Sequence, residues 1–301
     1  HQAAPGFRTF DPRFKLILDD ARAYLRYTDR IYDVIATDCT DLRYKSNANL
    51  YDREYFQLCR DRISDRGLVV VWVPLAGLSD EAFRILVRTF RDVFPQMSVW
   101  YFTNEPIHYC LFIAAREELR IDYDAVVRAA ELDSIRGDLE DLGLTAPAKL
   151  VASFVTDQRG LDGYTGLGPL NTEDFPIIEF LSPRYGYSAA PIATNMNKLY
   201  AVQVPVAPLL VGQSPRLATD VPRIAAMQQA NPVLFEGHTH YREHNVLKAA
   251  ELYLAAQKIT PDDPSIERLL QFVEVRRLIE SFDRRPNTID GIWLSTQWMA
   301  W

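Results

Sequence analysis

The chain has 301 residues, 48% hydrophobic and 24% charged, with a net charge of −7. This balance belongs to a soluble globular protein and excludes a disordered or collagen-like chain. The acidic excess argues against nucleic acid as a partner and suits a cationic substrate.

At roughly 150 residues per domain, the length suggests one large or two modest domains. Cys39, Cys59 and Cys110 have neither metal nor disulfide spacing, which fits a reducing compartment. No apolar run reaches the ~18 residues of a membrane helix. The longest, Leu68 to Leu78, is broken by Pro74 and Gly77. The opening HQAAPGFRTF lacks the basic and apolar regions of a signal peptide. The expectation is a cytoplasmic protein, with membrane contact only through upstream segments or a partner.

The first predicted element is a β-rich run, Phe14 to Leu18, ending at Asp19-Asp20. Ala21 to Tyr27 reads as a helix. Ile31 to Ala36 is a mostly apolar strand, as expected when both faces are covered. The stretch YDVIATDCTD then places Asp38 and Asp41 in the loop after that strand. Ligands of open α/β sheets bind outside the carboxyl ends of the strands. Leu50 to Ile63 reads as a helix with Tyr51 and Tyr55 packing inward, and Ser64 to Gly67 as the turn that ends it. Leu68 to Val73 is a buried strand. Ser79-Asp80-Glu81 caps a helix that Pro95 ends. Ser98 to Thr103 and His108 to Ala114 make a close strand pair, predicted to put an antiparallel strand at the sheet edge.

Beyond this, residues 120 to 150 read as helical and charged. The glycine cluster GLDGYTGLG, 160 to 168, follows no predicted strand and reads as a plain loop. NTEDFPIIEF, Asn171 to Phe180, is a turn followed by an extended segment. Tyr200 to Val211 is an edge strand or extended linker. From about Asp220 to Arg284 the pattern is helical, with one unit like a tetratricopeptide helix pair. The tail GIWLSTQWMAW carries Trp293, Trp298 and Trp301, an apolar set expected to dock on this chain or on a protein partner.

Asp38 and Asp41, three apart after a buried strand, can bind a cationic amine, and one of them can accept its proton. The plainer reading of the same pair is a strand-end turn and an Asx-turn. His240, Glu243 and His244 match the H-x-x-E-H pattern of inverted zinc peptidases, with Glu267 or Glu274 as a conceivable third ligand. A solvated helix start explains them better, so no metal is expected. Arg22, Arg26, Arg30, Arg53, Arg60, Arg62 and Arg66 are spread among acids and read as solvated helix faces.

Four blocks in order, DPRFKLILDDARAYL, YDVIATDCTD, NLYDREYFQL and GLVVVWVPL, resemble the polyamine aminopropyltransferase (spermidine synthase) family. The branch fused to membrane segments or helical repeats, where NTEDFPIIEF also recurs, is the most similar. The resemblance covers about residues 11–114 and Asn171 to Phe180. It implies an α/β, class I methyltransferase-like (Rossmann-like), mostly parallel sheet, here partial, followed by the helical, tetratricopeptide-like module. The expected domains are 1–118, 119–215 packing on it, and 216–301.

The resemblance further implies aminopropyl transfer from decarboxylated S-adenosylmethionine, a co-substrate not held tightly, to a diamine. Asp38 matches the acid that orients and deprotonates the attacking amine. Asp41 matches the acid that binds the diamine, and Leu50-Tyr51 the loop covering the site. Asp20, with Asp19 and Ala21 beside it, matches the acid that holds the adenine amine. The family's glycine-rich loop and ribose-binding acid have no counterpart here, and Val71 stands where the family often has Gln. Two other readings use the same features. One is a catalytically silent accessory subunit, drawing on Val71, the helical module and the Trp-rich tail. The weaker one is an S-adenosylmethionine-dependent methyltransferase. A homodimer completes the expected partners.

Overall fold

The computed structural model describes residues 14–38, 42, 45–181 and 190–283. Helix α1, Ala21–Tyr27, starts where Asp20 accepts the Ala23 N–H. Strand β1, Tyr32–Thr37, leads through a loop and a short 3-10 turn into α2, Arg53–Arg62. Asp52 caps α2 by accepting the Tyr55 N–H at 2.7 Å. Strand β2 spans Ile63–Pro74, and α3, Asp80–Val93, begins at the Ser79 cap. Strands β3, Ser98–Trp100, and β4, Tyr109–Ala115, follow.

The short strand β5, Ile121–Asp122, precedes helices α4, Tyr123–Ala130, α5, Asp133–Asp141, and α6, Pro147–Ala152. Strand β6, Phe154–Asp157, runs into α7, Gln158–Thr165. Next come α8, Ile177–Leu181, α9, Ala190–Tyr200, and strand β7, Leu210–Val211, which pairs with β5. Three long helices close the described chain: α10, Pro215–Arg242, α11, Val246–Ile259, and α12, Pro264–Asp283.

The main sheet has the order β1-β2-β4-β3-β6. β1 and β2 are parallel, and β4 is antiparallel to both of its neighbours, β2 and β3. Strands β1, β2 and β3 thus share one direction, with β4 inserted among them. This is the α/β, methyltransferase-like class expected, as a mixed sheet. The antiparallel strand β4 lies inside the sheet, between β2 and β3, and a second antiparallel strand, β6, takes the outer edge of β3.

Four local readings are corrected. Phe14 to Leu18 forms no strand; Leu16 and Leu18 stand in solvent, 80% and 99% exposed. Ser64 to Gly67 belongs to β2, where the register with β1 shifts between Tyr32 and Val34, a bulge that absorbs the extra residues. Ile177 to Leu181 is helical rather than extended, since Asn171 Oδ1 accepts the Ile178 N–H at 3.0 Å. The glycine cluster starts in α7, directly after strand β6.

Gly160 shows why that helix tolerates a glycine. A Cβ there would lie 2.1 Å from the Val202 carbonyl and 2.2 Å from Thr156 Oγ1. Alanine is the better helix former by about 1 kcal/mol. The clash outweighs it, because a backbone oxygen cannot rotate away. Gly160→Ala is expected to destabilise by about 1–3 kcal/mol net, read as a lower urea midpoint.

Apolar side chains of α2, α3 and α9 cover one face of the sheet, with Phe56, Phe83, Phe90 and Met196 fully buried. On the other face α4, α6 and α10 cover β3 and β6, around Trp100, Tyr123 and Phe154. A third cluster, with Leu234, Tyr253 and Leu269, joins α10, α11 and α12. Pro232 lies inside α10 and withholds the N–H that the Gln228 carbonyl would accept. Gln203 Nε2 donates to that carbonyl instead, at 3.1 Å. No helix among the described residues is long and apolar enough to cross a membrane. Trp293, Trp298 and Trp301 lie outside the described residues.

Candidate active site

The carboxyl end of β1 is held from beneath by two tyrosines of the β1–α2 region. Thr37 is buried and its Oγ1 lies 3.1 Å from the Tyr55 hydroxyl. The Tyr51 hydroxyl donates to the Trp72 carbonyl of β2 at 2.6 Å. Both rings are core, as expected, although Tyr51 precedes α2 rather than lying in it; Tyr51 is fully buried and Tyr55 is 3% exposed. Burial drives the Tyr55 phenol well above its ordinary range. The fully buried Tyr51 thus ties the end of the β1–α2 connection to β2.

Asp38 follows Thr37 and is exposed. Thr37 pairs with Val71, and both are buried toward α2 and α3. Asp38 is one residue past the last paired position of β1, and Trp72 is one residue past Val71, on the opposite face of β2. Val71 faces the core, so the side chain that β2 offers to the open face is Trp72. Trp72 lies 5.4 Å from the Tyr109 ring and 6.2 Å, edge-on, from His108. Electron-rich rings of this kind suit a cationic amine. Tyr109 was not singled out from the sequence. The alternation of HYCLF, with Cys110 and Phe112 buried, is the signal that turns it to the open face.

The loop carrying His108 is gripped by α10. Arg242 donates to the Ile107 carbonyl and, at 3.3 Å, to the Tyr101 hydroxyl. Burial and the Arg242 charge push the His108 pKa down, so the ring is neutral near pH 7. Deeper in, His238 Nε2–H donates to the Thr103 carbonyl at 3.3 Å, and Nδ1 accepts from Tyr253 at 2.8 Å. That tautomer is neutral, and burial holds the His238 pKa well below its usual value. Unfolded, each imidazole binds a proton below about pH 6.5. The unfolded state then holds more protons than the folded one, and stability falls as pH drops below that value. The slope is up to about 1.4 kcal/mol per pH unit for each group. His238→Gln is expected to remove part of this slope between pH about 6.5 and 5 in urea titrations. An unchanged slope would exclude His238 as a source.

Asp19 and Asp20 are exposed at the start of α1. Asp20 Oδ1 accepts the Ala23 N–H at 2.7 Å and Asp19 Oδ1 accepts the Asp20 N–H at 2.8 Å. Capping occupies one oxygen of Asp20; the other can still accept from an amine. Ala21 lines a cavity of about 460 Å³ beside β1, with Tyr24, Val34, Ala36 and Tyr55. Asp20 lines a second one of about 340 Å³, with Arg22, Asp52 and Glu173. Asp41 lies outside the described residues.

Arg22 is not the solvated arginine expected. It is 7% exposed and ion-paired with Asp52, itself 3% exposed. The zinc pattern is also dismantled. His240 lies in the last turn of α10, while His244 follows the helix with φ 62° and faces Glu280 and Arg276. These residues mark a helix end, not a start.

The spermine/spermidine synthase domain matches residues 3–114, which includes α1, β1 and the Asp38 loop. Residues 3–114 are thus similar to a spermine/spermidine synthase domain. A polyamine aminopropyltransferase of Korarchaeum cryptofilum is 33% identical over 95 residues, covering 32% of this chain and 29% of that protein. Polyamine aminopropyltransferase 2 of Pseudomonas aeruginosa is 35% identical over 89 residues, covering 29% of this chain and 26% of the relative. A polyamine aminopropyltransferase of Serratia proteamaculans is 35% identical over 163 residues, covering 50% of this chain and 53% of the relative. The chain thus spans about a quarter to a half of the length of these curated relatives. Within the synthase-like stretch, the carboxyl ends of β1 and β2 carry Asp38 and Trp72.

Proposed function

We propose that this chain carries the diamine side of a polyamine aminopropyltransferase, with Asp38 as the base. The observation that carries the reading is the exposed Asp38 directly after β1, next to Thr37, which pairs with Val71, the neighbour of Trp72. A protonated amine cannot attack carbon. Asp38 accepts that proton, and the freed nitrogen displaces a neutral thioether from the donor's sulfonium. The new C–N bond forms as the C–S bond breaks, so no metal is needed. Trp72 and Tyr109 stabilise the second, still-charged end of a diamine. Asp41 is the second carboxylate for that end. Asp19, Asp20 and Ala21 stand on the donor side, where acids suit both an adenine amine and a sulfonium.

The test is spermidine formation from putrescine and decarboxylated S-adenosylmethionine by the intact protein, with Asp38→Asn alongside. Product that depends on Asp38 supports the reading. Absence of both product and putrescine binding would overturn it and leave an accessory subunit.

A further inference from the structure

Asn171 lies far from Asp38 in sequence and is fully buried. Both of its backbone groups and both of its amide ends are engaged. Its N–H donates to Thr89 Oγ1 on α3 at 2.8 Å. Its carbonyl accepts from the N–H of Arg53, the first residue of α2, at 2.9 Å. Nδ2 donates to the Tyr51 carbonyl at 3.1 Å, while Oδ1 accepts from Ile178 at 3.0 Å.

Glu173 grips the same segment from a second side. Its N–H donates to Glu54 Oε2 at 2.8 Å, and its carboxylate accepts from Arg22 at 2.8 Å. Arg22 in turn donates to the Asn49 carbonyl at 2.6 Å and to Asp52. Residues 49–54 are therefore clamped by a turn more than a hundred residues away. They are the end of the β1–α2 connection that begins at Asp38, and they carry the Tyr51 that props β2 beneath Trp72.

We infer that Asn171 is a positioning residue that holds the Asn49–Glu54 loop, and through it the diamine site. For its ligand the inference rests on the aminopropyl-transfer reading. The clamp itself does not. The position requires an amide, because it donates to one backbone group and accepts from another. An apolar residue of equal volume satisfies neither. Aspartate keeps the bond to Ile178 but turns an oxygen toward the Tyr51 carbonyl, where two acceptors repel.

The experiment measures two things on the full protein: amide hydrogen exchange and putrescine affinity by calorimetry. Asn171→Asp is expected to speed exchange at residues 47–54 by about tenfold and to weaken putrescine binding by a similar factor. Exchange in α10, α11 and α12 stays unchanged. Glu173→Gln, on a half-exposed side chain that folding tolerates, moves both readouts the same way by about threefold. Unchanged exchange at residues 47–54 in both variants would overturn the clamp. Faster exchange with unaltered putrescine affinity would overturn the positioning role. If putrescine binding is absent, or is unaffected by Asp38→Asn, the aminopropyl reading fails, and the clamp is judged by exchange alone.

Discussion

Asp38→Asn is expected to lower aminopropyl transfer by about 10²- to 10⁴-fold, the usual worth of a positioned general base. The amide keeps the size and hydrogen-bonding reach of the carboxylate but cannot take a proton. Asp38 is exposed at a strand end, and the strand below it is fixed by Thr37, Tyr55 and Tyr51. The melting temperature should therefore hold. Asparagine also removes the negative charge that attracts the diamine, so KM should rise along with the loss in kcat. Raising the pH supplies more free amine from solution and should recover part of the variant's rate. Full activity in Asp38→Asn would remove Asp38 from the chemistry.

The second large effect is on stability. Lys149 Nζ lies 2.7 Å from Asp263 Oδ2, with the two side chains 1% and 0% exposed. Thr103 Oγ1 accepts from the same ammonium at 3.0 Å and donates to Asn231 Oδ1 at 2.7 Å. Asp263 also accepts from Ser265, at 2.7 Å from the hydroxyl and 3.0 Å from the N–H. Burial pushes the Lys149 pKa down, and the Asp263 carboxylate opposes it.

Removing either charge leaves the other buried and unpaired. Asp263→Ala or Lys149→Met should each cost about 3–5 kcal/mol in urea unfolding. The double variant Lys149→Met/Asp263→Leu, apolar and similar in volume, should recover most of that loss. Additive losses in the double variant would show that the two charges do not act as a pair. The pair also joins α6, the loop after β3 and the α11–α12 turn. The single variants should therefore loosen the grip of α10 on the loop that carries His108.

Helices α1, α2 and α3 and strands β1 and β4 were legible because their signals are local. Each has an N-cap or an apolar period within its own residues. The end of β1 was legible for the same reason, since an apolar strand followed by acids reads directly as a strand end; the expected cover on both faces is not found, for β1 is an outer strand with Val34 56% exposed. Strand β6 was not. Four residues, FVTD, carry too little period, and the open edge of β3 decides their pairing. Ile177 to Leu181 has β-branched residues that favour a strand, but the Asn171 side chain caps it as a helix. Arg22 reads as an ordinary surface arginine until Asp52 and Glu173 close over it.

By itself, the sequence determined the alternation of strands and helices in the first part of the chain and the place of Asp38 after its strand. Periodicity and residue chemistry are properties of neighbours along the chain. Only the tertiary structure decided that β4 lies inside the sheet, that Trp72 and Tyr109 share a face, and that Asn171 and Lys149 are buried at the joints. Each of these depends on contacts between residues far apart in sequence. Such a contact forms only once the whole core has excluded water and made an unpaired polar group too costly to keep.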